Sequence, residues 1–189
     1  MKLFFASIIA LTLFLSCLPN AAQDKAKEHF KKDLLGRINK LRSEGCHCGS
    51  VYMPPAPPLT WNDLLEKAAN EHAGDMFVRQ YFSHMSKEGL SPKDRVVDAG
   101  YGLKGYKGYM VGENIAQGQM SVAEVMDGWI KSPEHCRNLM TAGFKEVGVA
   151  RAGNYWVQDF GMRTPFSARE KALIKSGRIR IIPEKHSGY

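Results

Sequence analysis

The sequence predicts an α+β domain. Helical apolar spacing with cap signals fills the first two thirds of the chain. Period-two alternation is confined to the last third. No strand–helix–strand alternation appears, which argues against a parallel doubly wound sheet. Helices first and a hairpin last place helices against a small antiparallel sheet. With 189 residues, 44% hydrophobic and 24% charged, the chain has the composition of one soluble globular domain and not of a disordered or collagen-like polymer.

Residues 1–22 are read as an address. Lys2 is followed by the uncharged run Leu3–Leu15, too short for a membrane span of about 20 residues and suited to a secretory signal peptide. Two exits stay open. Leu15-Ser16-Cys17 resembles a bacterial lipobox, which would lipidate Cys17 and anchor the chain to a membrane; ordinary cleavage after Ala21 or Ala22 would release it. Either way the protein is expected outside the cytoplasm, periplasmic, envelope-anchored or secreted.

The domain is expected over residues 25–162. Leu34, Leu35, Ile38 and Leu41 form the stripe of a first helix over 25–43, ended by Gly45. Pro54, Pro55, Pro57 and Pro58 force an extended connector. A second helix starts near Thr60-Trp61-Asn62, with Leu65, Ala69, His72 and Met76 on one face, and ends before Tyr81-Phe82-Ser83-His84. His72 on that inner face reads as structural. Ser91-Pro92-Lys93-Asp94 opens a short third helix that Gly100 closes. Residues 100–112, rich in Gly and Tyr, read as loop; their G-x-G-x-x-G lacks the strand–turn–helix context of a dinucleotide site. Ser121 and Glu124 form a capping box for a helix carrying Val125, Met126 and Trp129, and Ser132-Pro133 stops it and starts a last turn through Met140. Val147 and Val149, then Tyr155, Val157 and Asp159, alternate around an Ala152-Gly153-Asn154 turn as a two-stranded hairpin ended by Gly161.

The net charge is +7, and most of it sits in a basic extension over 163–189, which holds seven Lys or Arg and two Glu. It reads first as a solvated tail and second as a contact to anionic lipid, cell-wall polymer or nucleic acid, with Ile179, Ile181 and Ile182 hinting at one more strand or a packed strap. Base-stacking aromatics are nearly absent there, so specific nucleic-acid binding is not expected.

Export makes a disulfide the default for Cys46, Cys48 and Cys136. Three thiols allow one bond and leave one over. A zinc knuckle drawn through Cys46-His47-Cys48 and His135-Cys136 has the wrong C-x-C spacing. A bond from the 46/48 pair to Cys136 would close a loop of about 90 residues, worth about 4 kcal/mol on chain entropy.

There is no G-x-S-x-G elbow, H-E-x-x-H pair or P-loop. What remains for chemistry is His84, Glu113 and His135, each at an expected segment end, where scaffolds present working side chains. Two imidazoles and a carboxylate meeting in a cleft could bind a divalent metal or move protons. Against that stand ordinary structural roles: Glu113 accepting backbone N–H bonds, and both histidines simply hydrogen-bonded.

Phe82-Ser83-His84, Gly112-Glu113-Asn114-Ile115-Ala116, the stretch Trp129 to Asn138, Val147-Gly148-Val149-Ala150 and Tyr155 to Gly161 stand in the order of the CAP superfamily (cysteine-rich secretory proteins, antigen 5 and pathogenesis-related-one proteins, or SCP/TAPS domains). From about Leu34 to Gly161 the chain resembles a bacterial member. The resemblance implies an α-β-α sandwich and a central cleft lined by His84, Glu113 and His135. It implies zinc or magnesium on the two histidines, or a sterol-like or fatty-acid ligand. A second acid of the family's eukaryotic branch falls at Ser132, which puts a four-residue site in doubt. The resemblance also implies a Cys48–Cys136 disulfide with Cys46 left over. If Cys136 is so bonded, it is no nucleophile. The reading this favours is a non-catalytic exported binding module for a metal, a small amphiphile or an envelope component. The alternative is a metal-assisted hydrolase of peptide or envelope material, with Glu113 as base.

Overall fold

The structure is a computed structural model that describes residues 20–181. The proposed signal peptide and lipidation site at Cys17 lie outside the described residues.

Helix α1 (Asn20–Glu44) is followed by a hairpin of β1 (Cys46–Cys48) and β2 (Val51–Met53), and by the short β3 (Thr60–Trp61). Thr60 and Trp61 therefore do not begin the second helix. That helix, α2 (Asp63–Arg79), is capped by the Asn62 side chain, which accepts from the N–H groups of Leu64 and Leu65. Next come α3 (Pro92–Asp98), with a full Ser91/Asp94 capping box, and β4 (Tyr106–Gln117). They are followed by α4 (Val122–Lys131), α5 (Pro133–Met140), β5 (Glu146–Ala152), β6 (Tyr155–Pro165) and α6 (Ala168–Lys175).

The Gly- and Tyr-rich stretch expected as loop supplies most of β4, and the expected two-stranded hairpin belongs to a four-stranded sheet in the order β3-β5-β6-β4. β4 pairs antiparallel with β6, whereas β3 joins β5 parallel. Glycine reads as a turn signal, but at Gly112 it answers a close approach: a Cβ there would lie 2.5 Å from the Phe144 ring. The hairpin also runs past Gly161 to Pro165. Beyond it lies a helix, with Lys107 reaching Glu170; Ile179 and Ile181 are exposed and form no strand. Ile182 lies outside the described residues.

Both faces of the sheet are covered, which is why β6 is buried from Tyr155 to Gly161. On one face Leu34 and Ile38 of α1, Val125 and Trp129 of α4, and Leu139 of α5 pack on Val147, Val149, Trp156 and Phe160. On the other, Ala69, Ala73 and Met76 of α2 pack on Ile115, Ala150, Tyr155 and Val157, and Val96 of α3 joins Leu65 and Tyr101. The layers are α-β-α. The seam between α2 and β5 is tight, because a Cβ on Gly148 would stand 2.0 Å from the Glu66 backbone nitrogen. Cys48 and Cys136 form a disulfide that ties the β1–β2 hairpin to α5. No helix among the described residues is long and apolar enough to cross a membrane.

Candidate functional site

β4 ends the strand order, so it is an edge strand, and successive side chains on it point to opposite layers. Glu113 faces α2 and α3; Asn114 faces α4 and α5. Glu113 thus sits in the middle of a strand, not at a segment end.

The Glu113 side chain is 1% exposed and both its oxygens are engaged. Arg95 of α3 donates from Nη2 to Oε2 at 2.5 Å, and His84 places Nδ1 2.6 Å from Oε1. Arg95 also donates from Nη1 to the carbonyls of His84 and Leu90, at 2.8 and 2.9 Å. One guanidinium therefore fixes both the carboxylate and the backbone of the residue that the carboxylate holds. The His84 ring is 51% exposed, so it stands in solvent with one nitrogen committed and Nε2 turned elsewhere.

The segment bearing His84 is held from α2. His72 is buried, and its Nε2 donates to the Ser83 carbonyl at 2.9 Å. Burial, and then the nearby Arg95 charge, pushes its pKa down, so it is neutral at physiological pH. Its role is structural, as its place on the inner helix face suggests.

Asp159 lies opposite Glu113 in the ladder. It is fully buried, and neither oxygen has a hydrogen-bond donor among the described residues. Burial, and then the charge of Glu113, raises its pKa well above the ordinary carboxylate range. Two like charges facing each other across a ladder repel. As a neutral acid, Asp159 can instead offer its proton to Glu113. Arg95 then balances one negative charge, not two.

Across the sheet, Asn138 donates to the Glu113 carbonyl and to Asn114 Oδ1, at 3.1 and 2.9 Å. Asn114 Nδ2 donates to the His135 carbonyl at 3.1 Å and to Gln158 Oε1 at 3.0 Å. These amides peg the start of α5 to the edge strand. His135 is half-buried, and burial followed by the charge of His84 pushes its pKa down. Ser132 sits at the junction of α4 and α5, where its N–H closes α4 on Gly128; no hydrogen bond ties it to His84 or Glu113.

For a divalent metal, the donor set is an open one. Among the described residues, the one group of three His, Cys, Asp or Glu ligand atoms lying within 4.8 Å of one another is Cys46, Cys48 and Cys136. Among the described residues, His84, Glu113 and His135 do not close into a three-ligand site, and both Glu113 oxygens are already hydrogen-bonded. A groove of about 990 Å³ lies elsewhere, lined by Lys27, Phe30, Lys31, Glu66, Arg151 and Trp156 and by none of the predicted site residues. Its lysines are paired, Lys27 with Glu66 and Lys31 with both Glu66 and Asp63.

Arg95 and Asp159 are site residues that the sequence reading missed. An arginine in a capped helix carries no local signal. Asp159 did carry one: it shares the buried face of Val157 in a period-two strand, where an acid is out of place.

Fold and site together define an α-β-α domain whose edge strand presents a carboxylate-held histidine. The profile of the cysteine-rich secretory protein family, CAP, matches residues 35–160, and the chain belongs to this family. Among curated relatives, "Uncharacterized protein YkwD" of Bacillus subtilis is 34% identical over 105 residues, covering 54% of this chain and 39% of its own length. "Uncharacterized membrane protein YlbC" of the same organism is 30% identical over 102 residues, covering 54% and 28%. The chain thus spans well under half the length of either. An extracellular SCP-domain protein from Bacillus anthracis superposes with a TM-score of 0.61 at 25% identity, over 76% of this chain and 43% of that one. An outer surface protein of Borrelia burgdorferi shares the fold, with a TM-score of 0.56 at 20% identity over 74% and 96%.

Proposed function

We propose that this chain is an exported, non-catalytic binding module whose ligand is contacted by His84 and His135 at the edge of the sheet. The observation that carries the reading is that both oxygens of Glu113 are engaged. Its oxygens are held by Arg95 and His84, so the carboxylate serves to orient an exposed imidazole and is not free to act as base. Hydrolysis through Glu113 would first have to strip it from a buried guanidinium, which leaves an uncompensated charge. Phe82 and Met85, two residues before and one after His84, are exposed apolar side chains on the same segment. That chemistry suits a small amphiphile, or a zinc or magnesium ion whose remaining positions are filled by water or ligand. An envelope component presenting such a group is an equivalent partner.

For location we propose export, with anchoring through a lipidated Cys17. The extracellular B. anthracis protein is the similar structure that favours it. The mass of the mature N-terminus decides the anchor: cleavage after Ala21 or Ala22 would remove it.

Thermal denaturation with Zn²⁺, Mg²⁺, a fatty acid and a sterol tests the site. At a hundredfold excess over Kd the melting temperature should rise by about 5–10 °C. The rise should vanish in the His84→Ala/His135→Ala double variant. A rise that persists in the double variant places binding elsewhere.

A further inference from the structure

Cys46 and Cys48 are two residues apart on β1, so both sulfurs lie on the side facing α5, while His47 points out to solvent. The Cys46 Sγ stands 3.6 Å from Cys136 Sγ and 3.9 Å from Cys48 Sγ. The two bonded sulfurs are sealed: Cys136 is 0% and Cys48 1% exposed, with Met140, Leu41 and Met53 around them. Cys46 is the half-exposed member and carries the one free thiol among the described residues. An external thiol therefore meets Cys46 before it can meet the bridge.

From this arrangement we propose that the three cysteines form a thiol–disulfide exchange centre in which Cys46 is the entry thiol for the buried bridge. The Cys46 thiol gives its proton to water. Its thiolate attacks Cys136 Sγ, the Cys46–Cys136 bond forms and the Cys48–Cys136 bond breaks. The electron pair leaves on Cys48 Sγ, which takes up a proton. Nothing is oxidised or reduced in sum; the bridge moves two residues along β1, to a sulfur that solvent and an external dithiol can reach. Near-equal distances to the two sulfurs place Cys46 beside the bond, so attack requires its side chain to swing in line. Burial also raises the pKa of Cys46, which holds the thiolate population down and keeps exchange slow at neutral pH. The geometry thus describes a bridge that is closed at rest and opened through one neighbour.

The test uses the oxidised chain in a Cys17→Ser background, reduced with dithiothreitol under native conditions and followed by mass after acid quench. Cys46→Ser should slow loss of the Cys48–Cys136 bond at least tenfold, with amide exchange protection of the β1–β2 hairpin unchanged. Equal rates in the two proteins overturn the proposal. In a second variant, Cys48→Ser, oxidation should produce a Cys46–Cys136 bond in the peptide map. A folded Cys48→Ser protein that keeps two free thiols overturns it as well. If either variant fails to fold, the other decides.

Discussion

Replacing Arg95 by Met should be the most informative perturbation of the edge-strand site. In the native protein the Arg95 and Glu113 side chains are 8% and 1% exposed and 2.5 Å apart. Removing one partner of a buried pair leaves the other charge without compensation, which costs about 3–5 kcal/mol. Here the orphan is Glu113, facing a second carboxyl at Asp159. At a urea dependence of about 2 kcal/mol per molar for a domain of this size, the midpoint should fall by roughly 2 M. Glu113→Gln alone should cost a similar amount, because it orphans Arg95. The double variant Arg95→Met/Glu113→Gln buries no charge, so its loss should fall short of the sum by about 2–3 kcal/mol. The bonds from Arg95 to the carbonyls of His84 and Leu90 vanish in both Arg95→Met backgrounds and cancel in the cycle. Losses that add to within about 0.5 kcal/mol would refute the pair as an energetic unit.

Other outcomes follow from the same structure. Asp159 binds its proton more tightly folded than unfolded, so its stability contribution is full below the unfolded pKa and is lost as pH rises through the raised folded value. Asp159→Asn, isosteric with the neutral acid, should therefore fold and show a flatter melting temperature against pH above the ordinary carboxylate range; an unchanged profile would mean that Asp159 is ionised in the native state. Gly148→Ala should cost about 3 kcal/mol or more, since α2 would have to retreat by about 1.4 Å to clear a Cβ from its backbone; a loss under 1 kcal/mol in chemical denaturation would show that the seam is softer than drawn. His72→Phe keeps the ring volume but releases the Ser83 carbonyl, and should weaken ligand-induced stabilisation more than it lowers the melting temperature of the free protein. Equal loss of both would make His72 a core residue only.

The sequence made the helices legible because their starts are chemical. Asn62, Ser91 and Ser121 each offer a side-chain oxygen to an unpaired N–H, and the capped helices begin where those residues stand. β4 was illegible for the complementary reason. Gly108 and Gly112 look like turn residues, and what answers Gly112 inside a strand is the Phe144 ring, which comes from 32 positions further along. Glu113 and His84 could be singled out as residues but not as a bonded pair. Their meeting depends on Arg95, whose local sequence looks like any charged helix surface, and on the pairing of Glu113 with Asp159, which only strand order creates. The partner of Cys136 was likewise open on composition alone, since Cys46 and Cys48 point the same way.

Because Glu113 and Asn114 are neighbours on one strand, slipping β4 by a single residue against β6 would trade their places. The carboxylate would enter the layer of Trp129 and Phe160, and the amide would stand before a guanidinium it cannot neutralise. No side chain needs to change for the site to be lost. What guards the alignment is steric: Gly112 lies under an aromatic ring that tolerates no other residue at that point, and the irregularity between Tyr106 and Gly108 takes up the mismatch at the far end. In this molecule the chemistry of the edge is inherited from the indexing of one backbone against another.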